Sequence, residues 1–115
     1  MNKIVGKKGE QLAASFLSRN GFEILERNFR YGHGEIDLIV RKEKLIVFCE
    51  VKARRTETYG PGESAVDERK QTRIRKVAEA YVEARELEGY EFRFDVIVVE
   101  LKGKTSRIRV IENAF

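Results

Sequence analysis

Apolar side chains first recur at helical spacing at Leu12, Ala13, Phe16 and Leu17, within a helix predicted over residues 6–20 that Asn20-Gly21 would stop. Residues 22–31 mix apolar and charged positions in the manner of a strand until Gly32-His33-Gly34 breaks the pattern. Two runs rich in Ile, Val, Leu and Phe follow, 35–40 and 45–53, separated by Arg41-Lys42-Glu43-Lys44, and together they predict a β-hairpin. Residues 54–62 contain the sole proline and two glycines, which predicts an exposed loop. Ser64-Ala65-Val66-Asp67 has the form of a helix-capping start, with Asp where Glu or Gln is preferred. Beyond it Ile74, Val77, Ala78, Tyr81 and Val82 fall at i, i+3, i+4, i+7 and i+8, the buried face of a long helix ending near Gly89. Residues 92–100 predict a strongly apolar strand and 107–111 a weaker one, after the Lys102-Gly103-Lys104 turn.

The order helix, three strands, helix, two strands predicts an α/β fold with a mixed sheet and helices packed on it. A chain of 115 residues is expected to form a single domain over 1–115. The 42% hydrophobic content suits a folded core despite 37% charged residues. The longest aliphatic and aromatic run, 45–49, is far below the roughly 20 residues of a membrane span. The basic N-terminus has no apolar stretch behind it, so a cytoplasmic location without membrane association is expected. A lone Cys49 excludes an internal disulfide, and with a single histidine, His33, it cannot complete a four-ligand zinc site. Any metal would be held by oxygen. The net charge of +4 and pI near 9.3 are compatible with a polyanionic partner. The abundance of Lys, Glu and Arg equally suits the surface ion networks of a heat-adapted protein.

The hairpin carries the candidate chemistry. Strand alternation predicts that Glu35, Asp37 and Ile39 share one face, and that Glu50, Lys52 and Arg54 share a face of the partner strand. A turn of two residues (42 and 43) or four (41–44) pairs Val40 with Leu45 and Glu35 with Glu50, leaving Asp37 diagonal to Glu50. Diagonal neighbours lie roughly 7–8 Å apart, a span that two carboxylates close by leaning onto one cation. Mg²⁺ or Mn²⁺, hard ions that prefer oxygen, would relieve the repulsion between them. Lys52 would bring an ammonium to the same place, to orient water or neutralise a phosphate. Taken singly, these side chains are equally explained as solvated residues with Lys52 as an ion-pair partner. Their position inside unusually apolar runs favours the functional reading.

Gly34-Glu35-Ile36-Asp37-Leu38-Ile39 followed by Phe48-Cys49-Glu50-Val51-Lys52-Ala53-Arg54, and preceded by Gly6-Lys7-Lys8-Gly9-Glu10, resembles the signature of the PD-(D/E)xK nuclease superfamily. The resemblance covers nearly the whole chain and is closer to the bacterial YraN family of uncharacterised proteins, which is distantly similar to archaeal Holliday junction resolvases. It implies a restriction-endonuclease-like αβββαβ core, with Asp37 and Glu50 as metal-binding acids, Lys52 as the active-site lysine and Glu10 as the helix-borne acid of resolvase-like members. Ile36 stands where the superfamily has Pro before the first acid. Glu10 aligns with Ala13, Ala14 and Leu17 and so faces inward in the first turn of the expected helix, where the macrodipole alone would also favour an acid.

Glu35 shares the hairpin face as a supporting or competing ligand. Lys70 and Gln71 begin the second helix on the side of Ile74, where they either touch substrate or form a solvated first turn; His33 reads as a turn residue rather than a general base, and Cys49 as a core residue pointing away from Glu50. Arg27, Arg30, Arg54, Arg55 and Lys70, with Arg41 and Arg73, are candidate phosphate contacts or simply a solvated charged face. Three readings stand: a Mg²⁺- or Mn²⁺-dependent endonuclease acting on DNA, including branched or junction DNA; a nucleic-acid-binding module that keeps the fold without cutting alone; and an interaction protein with ordinary surface acids. A symmetric four-way substrate would require two sites, hence a homodimer.

Overall fold

The computed structural model describes residues 3–57 and 66–115. It contains α1 (Lys3–Arg19), β1 (Glu23–Tyr31), β2 (Gly34–Lys42), β3 (Leu45–Arg55), α2 (Glu68–Arg85), β4 (Glu91–Lys102) and β5 (Thr105–Ile111), in the predicted order. The strands form one mixed sheet ordered β1-β2-β3-β4-β5. β3 and β4 run parallel, joined by a crossover that contains α2, and the other pairs are antiparallel. The boundary expectations change at three places. α1 begins at Lys3, so Glu10 lies beyond its first turn. β3 continues through Arg54 and Arg55, which shortens the expected loop, whose residues 58–62 lie outside the described residues along with Ser64. Asp67 itself caps α2, its carboxylate accepting the Lys70 amide at 2.9 Å, and the helix stops at Arg85 because Glu86 turns left-handed, with φ of 52°.

Each face of the sheet is covered by one helix. Val5, Ala13, Ala14 and Leu17 of α1 pack on Leu38, Val40, Val47, Cys49, Val51, Ile97 and Val99. Ile74, Val77, Ala78 and Tyr81 of α2 pack on Ile36, Ile39, Ile46, Phe48, Val96 and Val98. This double cover explains why the central strands read as unbroken apolar runs. Each buried Val, Leu, Ile or Phe among them contributes roughly 1.5–3 kcal/mol by leaving water. Two glycines allow the close approaches that fix the helices: a Cβ at Gly9 would lie 2.3 Å from Ala53 Cβ, and one at Gly34 would lie 2.6 Å from Val77 Cγ2.

The hairpin register differs from expectation. Lys42 pairs with Leu45 and Val40 with Val47, so the turn is Glu43-Lys44, with Glu43 left-handed at φ of 55°. The β2/β3 ladder ends at Leu38 and Cys49. Past that pair β2 remains joined to β1 and β3 to β4, and the sheet forks. Asp37 and Glu50 are the next residue on either arm. The alternation of β2 slips at the same point, since Ile36 and Ile39 both pack under α2, while Asp37 lines a pocket with Glu50 and α2 residues on that same side. Across from Asp37 on β1, Asn28 adopts φ of 50° and is skipped in the pairing between Arg27/Leu38 and Phe29/Ile36.

Candidate functional site

The fork opens a pocket of about 250 Å³ lined by His33, Gly34, Glu35, Asp37, Glu50, Lys70, Arg73 and Ile74. Asp37 and Glu50 thus meet on one side of the sheet at its open end. With the ladder broken, the Val51 amide donates to Asp37 Oδ2 at 2.8 Å, so the carboxylate replaces the missing strand partner and is fixed by the backbone of β3. Glu50 is nearly fully buried and accepts from the Lys70 ammonium at 2.9 Å through Oε2. Its other oxygen, Oε1, is buried without a hydrogen-bond partner. Behind the pair, the Asn28 side-chain amide lies 3.0 Å from both Glu10 Oε1 and Glu35 Oε1, and Arg30 Nε donates to Glu35 Oε2 at 3.1 Å.

The charges are set against each other by burial. Burial first, then the neighbouring Glu50, raises the Asp37 pKa to about 7, although the Val51 amide pulls the other way and Glu10 adds to the rise. Burial likewise raises Glu50, opposed by the Lys70 hydrogen bond and charge. For Lys70 burial lowers the pKa, but the carboxylates of Glu50 and then Asp37 outweigh it and leave the group above its usual value. A buried acid beside a half-buried one, with one oxygen unsatisfied, has the character of a cation site. Among the described residues no group of three or more His, Cys, Asp or Glu gathers into a ready-made metal cluster. The acids approach as a pair with two more linked behind through Asn28.

The other sequence-predicted residues divide by location. Lys52 is half-buried two positions beyond Glu50, on the same face by strand alternation. Lys70 is the ammonium hydrogen-bonded to Glu50, and Arg73 lines the pocket one turn along α2. Arg54 lies on the Glu50 face but reaches across to Glu100 at 2.7 Å, whereas alternation turns Arg55 to the opposite face. Arg30 is held by Glu35, Arg27 is exposed on β1, and Arg41 bonds Tyr90 and Glu23 at the far end of the hairpin. His33 is exposed in the β1/β2 turn at the pocket rim, Cys49 is buried in the α1 core, and Gln71 donates to the Val66 carbonyl at 2.6 Å. Asn28 escaped the sequence reading. Its only signal is that Asn tolerates the left-handed backbone that a break in a strand requires.

The model of "Uncharacterised protein family UPF0102" matches residues 9–99, and the chain belongs to that family. A UPF0102 protein from Syntrophus aciditrophicus is 46% identical over 114 residues, covering 99% of this chain and 90% of the relative. One from Dictyoglomus turgidum is 43% identical over 116 residues, covering 99% and 98%. Among solved structures, "The structure of Pyrococcus Furiosus SfsA in complex with Ca2+" aligns with 96% of this chain and 63% of its own at 17% identity, with a TM-score of 0.34. No helix among the described residues is long and apolar enough to cross a membrane.

Proposed function

We propose that this chain is a metal-dependent endonuclease of the restriction-endonuclease-like class, hydrolysing DNA phosphodiester bonds at the fork between β2 and β3. The observation that carries the reading is the meeting of a buried Glu50 and a half-buried Asp37 from parted strands in one pocket, with Glu50 Oε1 unsatisfied. Asp37 and Glu50 would hold Mg²⁺ or Mn²⁺, with Glu10 and Glu35 behind them. Such an ion, when bound, stabilises charge on a phosphate oxygen and acidifies water. The chain's own contribution is positional: the Val51 amide fixes Asp37, Asn28 ties Glu10 to Glu35, and Lys70 holds Glu50. Lys52 then provides a cation on the substrate side of Glu50 for the phosphate or the attacking water. The sequence resemblance to the PD-(D/E)xK superfamily and to Holliday junction resolvases supports the same assignment and makes branched DNA the substrate to try first.

A second reading is favoured by Lys70, whose ammonium already compensates Glu50 without a metal. On that account the chain binds nucleic acid and does not cut it alone. Incubating wild type, Lys52→Ala and Glu50→Gln with linear, flapped and four-way DNA in Mg²⁺ or Mn²⁺ separates the two. Cleavage by wild type with loss in both variants supports the nuclease; binding without cleavage by any of the three supports the second reading. Equal cleavage by all three would place the activity elsewhere.

A further inference from the structure

A second depression, open and of about 600 Å³, lies on the outer flank of α2, lined by Tyr31, Lys76, Glu79, Ala80, Glu83 and Ala84. That volume falls within the roughly 300–1,000 Å³ of small-ligand sites. Its aromatic wall is uncommitted. Tyr81 packs edge-on against Phe29 and Phe48, and Tyr90 takes the Arg41 guanidinium on its hydroxyl and the Lys44 ammonium over its ring. Tyr31, by contrast, is 58% exposed and makes neither a hydrogen bond nor a ring contact with any described residue.

The depression adjoins the acid pocket along two elements. On the hairpin, Tyr31 pairs with Gly34, which lines that pocket. On α2, Lys76 of the depression follows Arg73 of the pocket after three residues, a rise of about 4.5 Å. Cross-strand partners lie about 4.5–5.5 Å apart at Cα, so the two hollows are separated by little more than the rise of one stacked nucleotide, about 3.4 Å. Their linings differ in chemistry. Glu79 and Glu83 form no ion pair with a described residue and would repel a phosphate. The Tyr31 ring offers an apolar face, and the small side chains of Ala80 and Ala84 leave room beside it. A flat, uncharged heterocycle suits that lining, with its N–H groups free to donate to the carboxylates. Arg73 and Lys76, neither of them ion-paired to a described residue, stand on either side of the step where a linking phosphate would pass.

We infer that Tyr31 is a stacking platform for an unpaired nucleobase of the strand that enters the acid pocket, so that the ligand is a nucleic acid with a single-stranded stretch at the fork. The inference rests on the proposed function for the presence of that strand. A base within a continuous duplex has both faces covered by its neighbours and has none to offer a side chain. A base at a flap, gap or overhang does, and stacking on an aromatic ring tolerates any sequence because every base has a π-face. Phosphate contacts at Arg73 and Lys76 would then position the strand without reading it.

The test is DNA binding in chelator, where no metal-dependent cutting occurs, measured by fluorescence anisotropy on a flapped duplex and on the fully paired duplex of the same sequence. Wild type is compared with Tyr31→Ala and with Tyr31→Phe, which keeps the ring. The control is Phe92→Ala, which removes an exposed ring at the other end of the sheet, and thermal melting establishes that each variant is folded. Tyr31→Ala should bind the flap about 5- to 100-fold more weakly and the duplex as wild type does, while Tyr31→Phe and Phe92→Ala retain wild-type binding to both. A fluorescent aminopurine at the unpaired position beside the junction should be quenched on binding wild type and not on binding Tyr31→Ala. Wild-type flap affinity in Tyr31→Ala, or equal losses on flap and duplex, would overturn this inference while leaving the nuclease reading intact. So would dimerisation of wild type that Tyr31→Ala abolishes without changing flap binding, which would give this face to a second copy. Flap binding that needs Tyr31 but leads to no cleavage when Mg²⁺ or Mn²⁺ is restored supports the platform and overturns only the nuclease reading. Failure of wild type to bind either DNA would overturn both.

Discussion

Neutralising Asp37 isolates the electrostatic conflict at the fork. In Asp37→Asn the side-chain oxygen still accepts the Val51 amide, so the contact that replaces the broken ladder survives and only the charge is lost. The wild-type carboxyl rises from 3.8 to about 7 on folding because of burial and Glu50. The folded protein therefore keeps a proton that the unfolded chain releases, and the stability present below pH about 4 is lost as pH rises towards about 7. At about 1.4 kcal/mol per pH unit the ceiling is about 4 kcal/mol. Screening at the open end of the fork removes part of this, leaving an expected gain of about 1–3 kcal/mol for Asp37→Asn at pH 8. For a domain of this size that is a rise in Tm of roughly 5–15 °C. The assay is thermal and urea unfolding of both proteins at pH 4 and pH 8 in chelator. Asp37→Asn should match wild type at pH 4 and exceed it at pH 8. Equal stability at pH 8, or the same gain at both pH values, would refute the claim that a buried carboxylate repelled by Glu50 sets the energy of this site.

Three other outcomes follow from the packing and charges. Lys70→Met removes the cation hydrogen-bonded to Glu50 and leaves that acid buried, so stability at pH 8 should fall by about 3 kcal/mol, and pairing it with Glu50→Gln should recover most of the loss, as a double-mutant cycle in urea would measure. Gly9→Ala drives a methyl to 2.3 Å from Ala53 Cβ and should cost about 1–3 kcal/mol by pushing α1 off β3, read as a lower urea midpoint. Asn28→Gly keeps the left-handed backbone accessible and frees Glu10 and Glu35 from their common partner while leaving Asp37 and Glu50 in contact with theirs; metal affinity is expected to weaken several-fold with little change in Tm, as measured by titration and melting.

Much of the fold is written in the hydrophobic pattern, because both faces of the sheet are covered and the helices carry regular apolar stripes. The strands and α2 could be read for that reason. The hairpin register could not, since Arg41-Lys42-Glu43-Lys44 contains no Gly or Asn to mark the turn, and Glu43 takes the left-handed position without the usual residue. Shifting the turn by one residue moves Asp37 from a diagonal to a facing position relative to Glu50. The fork is also silent in sequence: the ladder ends through tertiary packing of Gly34 on α2 and the left-handed turn at Asn28. Asp37 and Glu50 were legible as acids inside apolar runs. The same signal was present at Glu100, within the apolar stretch of β4, but its arginine partners come from β3 and β5 and become neighbours only once the register is known. Lys70 reaches Glu50 because Asp67 caps α2 and thereby sets where the first helical turn falls over the sheet.

The central claim is that Asp37 and Glu50 together form a divalent-cation site, and calorimetric titration of Mn²⁺ into wild type, Asp37→Asn and Glu50→Gln at pH 8 addresses it directly. The account predicts saturable binding to wild type, with a higher Tm in the bound state, and loss of that binding in each variant while the fold is retained. Absence of binding to folded wild type, or unchanged affinity in the two variants, would contradict it.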